Sequence, residues 1–146
     1  MLIEDNNIAI IEGYNNWDLL KYKNVHNKVI QIINVAYIAP HEGYPIFINA
    51  ETIFLSRCDK NFVFYWLNKN IFPKVKNIYL FSHPCDPEVF YRFEDVIIYL
   101  EDYFWNIYKN LWAYDVPSII SIKEDELFNI LKSYNQELII TSDQNK

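Results

Sequence analysis

Apolar residues along this chain fall into short runs separated by polar, turn-rich stretches. Ile8–Ile11 is the first run; it stops at Gly13 and reads as a strand. Asn16–Lys23 offers Trp17, Leu20 and Tyr22 for a short helix, with Asn15 or Asn16 as its cap. Val29–Val35 (VIQIINV) is β-branched and nearly all apolar, the pattern of a strand covered on both faces. A loop over Ala36–Asn49 follows, holding Pro40, Gly43 and Pro45, with Ile46–Ile48 as a stub of strand inside it.

The spacing then changes. Phe54, Cys58, Phe62 and Trp66 recur at every fourth position, with Val63 and Leu67 beside them. That predicts a helix from Asn49 to about Asn70, stopped by Pro73. Ser56 and Asp59 offer a second start, so a break near residue 57 fits the same pattern. Asn77–Ser82 and Val96–Leu100 read as further strands. Asp102 caps a segment in which Tyr103, Phe104, Ile107, Tyr108, Leu111 and Trp112 show the clearest helical spacing of the chain. Ser118–Ile122 is another strand, and Ser121 with Glu124 forms a capping-box pair for a helix carrying Leu127, Ile130, Leu131 and Tyr134. The polar tail over residues 141–146 is expected to fray.

Strand runs alternating with amphipathic helices predict a single α/β domain over residues 1–140. Its sheet is mostly parallel, with about five strands and about four helices on both faces, a Rossmann or flavodoxin-like layering.

Composition narrows the chemistry. The only glycines are Gly13 and Gly43, so neither a dinucleotide-binding nor a P-loop glycine pattern can be built. The net charge is −6 and unevenly spread: residues 1–83 carry eight Lys/Arg against seven Asp/Glu, residues 84–146 five against twelve. The single basic excess, Arg57, Lys60, Lys69, Lys74 and Lys76 against Asp59, is too small for a phosphate-tracking stripe, which makes nucleic acid an unlikely partner. Cys58 and Cys85 follow no signal-peptide pattern and read as free thiols of an intracellular protein, in the cytoplasm or, for a viral protein, in the host cytoplasm or virion. No apolar run approaches the length of a membrane span. Heavy use of Ile, Asn, Tyr, Lys and Phe fits an AT-rich genome, such as that of a large DNA virus, some parasites or a low-GC bacterium.

Ligands of open parallel sheets sit beyond the carboxyl ends of the strands. The residues expected there are His41 and Glu42, then Ser82, His83, Cys85 and Asp86, then Glu101 and Asp102. His83 with Asp86, and the paired carboxylates of Glu101 and Asp102, suit acid–base work, with His41, Glu42, Ser82 and Cys85 as binding groups. Each has a structural counter-reading: Asp86 begins a turn before Pro87, and Asp102 caps a helix. Cys58, Cys85, His41 and His83 lack zinc spacing, so no metal and no cofactor is expected.

Aromatic content is the stronger signal, 18% of all residues. Such side chains either replace smaller apolar residues in the core or face a partner. Tyr91, Tyr99, Tyr103, Trp105, Tyr108 and Trp112 are the candidates for the second role. The leading expectation is therefore an interaction or assembly protein that binds another protein or itself through an aromatic-rich surface. The alternative is a hydrolase or transferase acting on a small or nucleotide-like substrate around His83.

Overall fold

The computed structural model describes residues 2–4, 8–12, 25–35, 46–81, 89, 92–93, 95–108 and 119–144. These form an α/β fold around one sheet. Its strands are β1 (Leu2–Glu4), β2 (Ala9–Glu12), β3 (Val29–Ile33), β4 (Thr52–Ser56), β5 (Asn77–Phe81), β6 (Ile97–Glu101) and β7 (Ile119–Ile122). Among the described residues the helices are α1 (Lys60–Trp66), α2 (Asp102–Tyr108) and α3 (Glu124–Gln144). The predicted helix at Asn16–Lys23 lies outside the described residues.

Strand order is sequential from β1 to β7. Only β1 is antiparallel to its neighbour, and β2 to β7 are all parallel. Crossovers between parallel strands are right-handed, so a sheet that always advances in one direction sends every connection to the same face. The first-face core bears this out, since each crossover contributes to it. Val25 enters before β3; Val35, Phe47 and Ala50 before β4; Phe62, Val63, Trp66, Ile71, Phe72 and Val75 before β5; and Val89, Phe93 and Val96 before β6. Phe104 and Trp105 pack there from α2, between β6 and β7. Beneath them lies a row of isoleucines in register, Ile30, Ile53, Ile78, Ile98 and Ile119.

The helix predicted from Asn49 to Asn70 is corrected by the structure. Its first part is the central strand β4, and the helix proper starts only at Lys60, with the Asp59 carboxylate accepting from the Asn61 amide at 2.8 Å. Thr52–Leu55 is buried on both sides, so β4 has no polar face to alternate with, and Phe54 stands four positions before Cys58 by coincidence. The Ile46–Ile48 stub is likewise not a strand: Phe47 is buried in a turn, stacked on Phe72 at 5.2 Å, with Ile46 and Ile48 exposed on either side.

The second face has a different origin. After β7 the chain enters α3, whose Leu127 and Leu131 pack on Ile8, Ile10, Val29, Phe54, Tyr79 and Phe81. A helix of 21 residues is about 31 Å long, comparable to the roughly 29 Å spanned by seven strands. It starts at the carboxyl end of β7 and crosses back: Phe128 meets Phe81 of β5 at 5.5 Å, and Tyr134 meets Phe54 of β4 at 6.0 Å. Ser121 does not cap it. That residue belongs to β7, and its hydroxyl donates to the carboxylate of Asp102, which is itself the first residue of α2 and not the residue before it.

Candidate functional site

Two regions of the sheet carry features that packing alone does not require. The first is the carboxyl rim. Asn34 and Arg57, which follow β3 and β4, have φ angles of 56° and 55°. They are neighbours, because Ile33 is in register with Ser56 and the Asn34 amide donates to the Ser56 carbonyl at 3.0 Å. Asparagine tolerates this left-handed conformation; arginine adopts it at a cost of the order of 1 kcal/mol. The reversal turns Val35 and Cys58 inward to the first-face core and leaves Arg57 exposed on the rim. Burial, with the charge of Asp59 adding to it, pushes the Cys58 thiol up to about 11. Its Sγ lies 3.6 Å from the Ile32 carbonyl and 3.5 Å from that of Ser56. Such a thiol is a core group and a poor nucleophile.

Further along the rim stand Glu101 and Asp102. Glu101 is 7% exposed, in register with Ile122, on the face that α3 covers. Asp102 accepts from Ser121 and so ties the start of α2 to β7. Of the expected catalytic group, Glu101 and Asp102 are thus placed, whereas His83 and Asp86 lie outside the described residues, as do His41, Glu42, Ser82 and Cys85. Among the described residues no three His, Cys, Asp or Glu side chains gather as metal ligands.

The second region is the second face near β6 and β7. Phe54, Tyr79 and Tyr99 are in register on three adjacent strands and stack face to face, with ring centroids 4.6 Å and then 4.2 Å apart. Burial first, then Tyr99 and Tyr134, pushes the Tyr79 phenol above its ordinary value. Next in the row is Ile120, opposite Tyr99, and there the cover ends: Ile120 is 45% exposed and Ile97, its diagonal neighbour, 40%. α3 starts at the opposite end of β7 and leads away from this corner.

The aromatic candidates divide accordingly. Tyr99 is half-buried at the end of the stack. Tyr103 is 68% exposed, while Trp105 packs on the first-face core. Tyr108 closes α2, and Tyr91 and Trp112 lie outside the described residues. Much of the aromatic excess fills the core, as Phe47 with Phe72 and Phe62 with Trp66 show. Sequence reasoning missed the exposed corner and the Phe54–Tyr79–Tyr99 stack. Aligning the strand runs by their centres would have found the stack, had Phe54 not been read as helical.

Comparison with known proteins finds a family of unknown function and two viral relatives. Residues 30–113 match the "Family of unknown function (DUF5845)". The chain is 37% identical over 124 residues to "Uncharacterized protein R849" of Acanthamoeba polyphaga mimivirus, covering 85% of each. It is 39% identical over 95 residues to "Uncharacterized protein L163" of the same virus, covering 65% of this chain and 68% of that protein. This fits the viral option among the sources suggested by composition. No solved structure matches significantly.

Proposed function

The chain belongs to DUF5845, a family of unknown function, and from its geometry we propose that the protein acts by binding another protein, or itself, through the β6–β7 corner of its second face. One observation carries this reading. Ile97 and Ile120 stand exposed beside half-buried Tyr99 on the last strands of the sheet, where α3 gives no cover. A contiguous apolar patch at a sheet margin is a common docking surface, and Tyr adds area with little entropy to lose. No described helix is long and apolar enough to cross a membrane, so a membrane span does not account for the patch. The test compares proteins bound by wild type with those bound by an Ile97→Lys/Ile120→Lys variant. Binding should be lost while the melting temperature holds; unchanged binding would sink the reading.

A second reading places small-molecule chemistry on the rim, and buried Glu101 favours it. A panel of nucleotides, phosphosugars and divalent metals tests it. A ligand at 100 times its Kd adds about 2.7 kcal/mol, a rise of roughly 5–10 °C for a chain of this size. A rise lost in Glu101→Gln supports the rim, and a flat panel removes it.

A further inference from the structure

We infer that the occupant of the β6–β7 corner is a basic amphipathic helix of another protein, with its apolar stripe on Ile97, Tyr99 and Ile120 and its cations towards the carboxyl end of β7. This rests on the corner being a binding surface and names the chemistry of its partner.

The opening is one helix wide. From the carboxyl end of β7, α3 runs to Phe81 of β5 and then to Phe54 of β4, so it draws away from the last two strands as it goes. Glu101 and Ile122 stay buried near its start, while Ile97 and Ile120 are exposed with Tyr99 half-buried beside them. Two strands at the ordinary spacing are about 10 Å across. A helix with its side chains is about 10–12 Å wide, so one helix beside α3 continues the second layer over both strands.

Backbone chemistry favours a helix over an extended segment. Ile97, Tyr99 and Ile120 belong to a sheet face, and a strand laid on that face would leave its own N–H and C=O groups unpaired. A helix satisfies these groups internally and presents positions i, i+3, i+4 and i+7 as one apolar stripe.

Charge selects a basic one. At the strand starts the described charges beside the corner are already paired: Asp95 with Lys69 at 3.2 Å, and Lys76, whose carbonyl accepts from the Ile97 amide, with Glu51 at 2.8 Å. At the carboxyl end of β6 and β7 stand Asp102, Glu124, Asp125 and Glu126 against Lys123. The Ser121 hydroxyl ties Asp102 to β7, and the other three acids follow Ile122 within four residues. Glu124 is four residues beyond Ile120, at most about 14 Å along the chain. Three turns of helix span about 16 Å, so a helix seated on the isoleucines brings cations at its end to these acids. An apolar surface with a negative end attracts such a helix and repels an acidic one.

Two labelled peptides of equal length test this, both with leucine at helical spacing, one with lysine and one with glutamate at the remaining positions. By fluorescence anisotropy the full chain should bind the Leu/Lys peptide at least about tenfold more tightly than the Leu/Glu peptide, and added salt should narrow the gap. Ile97→Ser/Ile120→Ser should weaken the Leu/Lys complex more than about tenfold while the melting temperature holds, and Glu124→Gln/Glu126→Gln should weaken it less. Ile46→Ser/Ile48→Ser, which removes two isoleucines exposed elsewhere, should leave it unchanged. Equal binding of the two peptides, no binding of either, or a Leu/Lys complex indifferent to Ile97→Ser/Ile120→Ser overturns the inference. So does a dimer of the chain that Ile97→Lys/Ile120→Lys breaks on sedimentation, which would put a second copy on the corner. If the inference falls and Ile97→Lys/Ile120→Lys still loses a bound protein, the corner remains a binding surface for a partner of other chemistry; if it loses none, both readings fall.

Discussion

The two faces of the sheet are covered in opposite ways. Every crossover from β2 onwards adds residues to the first face, so its cover is laid down piece by piece and tied at both ends. The second face receives α3, a helix that enters from β7. A helix with its side chains is about 10–12 Å wide. Lying obliquely, it covers Phe54, Tyr79 and Phe81 and leaves Ile97 and Ile120 open. The same winding that makes one face secure leaves the other, among the described residues, dependent on α3, and Ile97 and Ile120 are what it leaves uncovered.

Removing that element should have the largest effect. A chain ended at Lys123 would expose the Phe54–Tyr79–Tyr99 stack together with Ile8, Ile10 and Phe81. It should bind hydrophobic dyes and lose cooperative melting; a sharp transition would show that the second face does not need α3.

Matched leucines compare the faces directly. Leu80, fully buried on the first face, and Leu131, 4% exposed on the second, are the pair. Leu→Ala costs span about 2–5 kcal/mol according to how far the site can collapse. Leu80→Ala should lie near the top, about 4–5 kcal/mol, because its surroundings are fixed on every side. Leu131→Ala should cost about 2–3 kcal/mol, because a helix held from one side can settle into the gap. Urea denaturation measures both, and equal losses would erase the distinction.

Alkaline pH sharpens it chemically. Cys58 on the first face ionises near 9 in the unfolded chain and near 11 in the folded one. Below about 9 both states hold the proton and nothing is lost. Above it the unfolded chain releases its proton first, so stability falls between pH 9 and 11 by about 2–3 kcal/mol. Cys58→Ala should remove that part of the slope, seen as a smaller loss in a denaturation series across this range. Tyr79 on the second face is shifted in the same direction, so Tyr79→Phe should remove a separate part beginning at the ordinary tyrosine pKa. If neither substitution flattens the slope, burial is not what holds these protons.

The smallest effect belongs to the strand-start end. Lys76 lies 2.8 Å from Glu51, and this charged partner holds the Glu51 carboxyl below the usual carboxylate range. Both groups are open to solvent, where pairing is offset by entropy and screening. Glu51→Gln should leave the thermal midpoint unchanged, and a clear drop would assign the ribbon of Lys28, Glu51 and Lys76 a larger part in holding the strand starts.

Much of this architecture was legible in the order of residues. Val29–Ile33 announces a strand because a strand buried on both sides must be almost wholly apolar, and Asn77–Phe81 and Ile97–Leu100 announce strands as short apolar runs between turn signals. The helical stripe of Leu127, Ile130, Leu131 and Tyr134 announces α3 by its spacing. β4 was not legible, because periodicity within one segment cannot separate a short apolar strand from the start of an apolar helix. Of the rim, Glu101 and Asp102 could be foreseen from their position after a strand. Asn34 and Arg57 could not, since a left-handed backbone at arginine leaves no mark in the sequence.

By itself the sequence determined the class of fold, the two-sided burial of β3 and the absence of glycine-rich phosphate loops. These depend on local spacing and composition, which a linear chain displays. Only the tertiary structure decided the sequential strand order, the stacking of Phe54 on Tyr79 on Tyr99, and which apolar residues stay uncovered. Those depend on register between segments far apart in the chain, and on where one helix of finite width comes to rest.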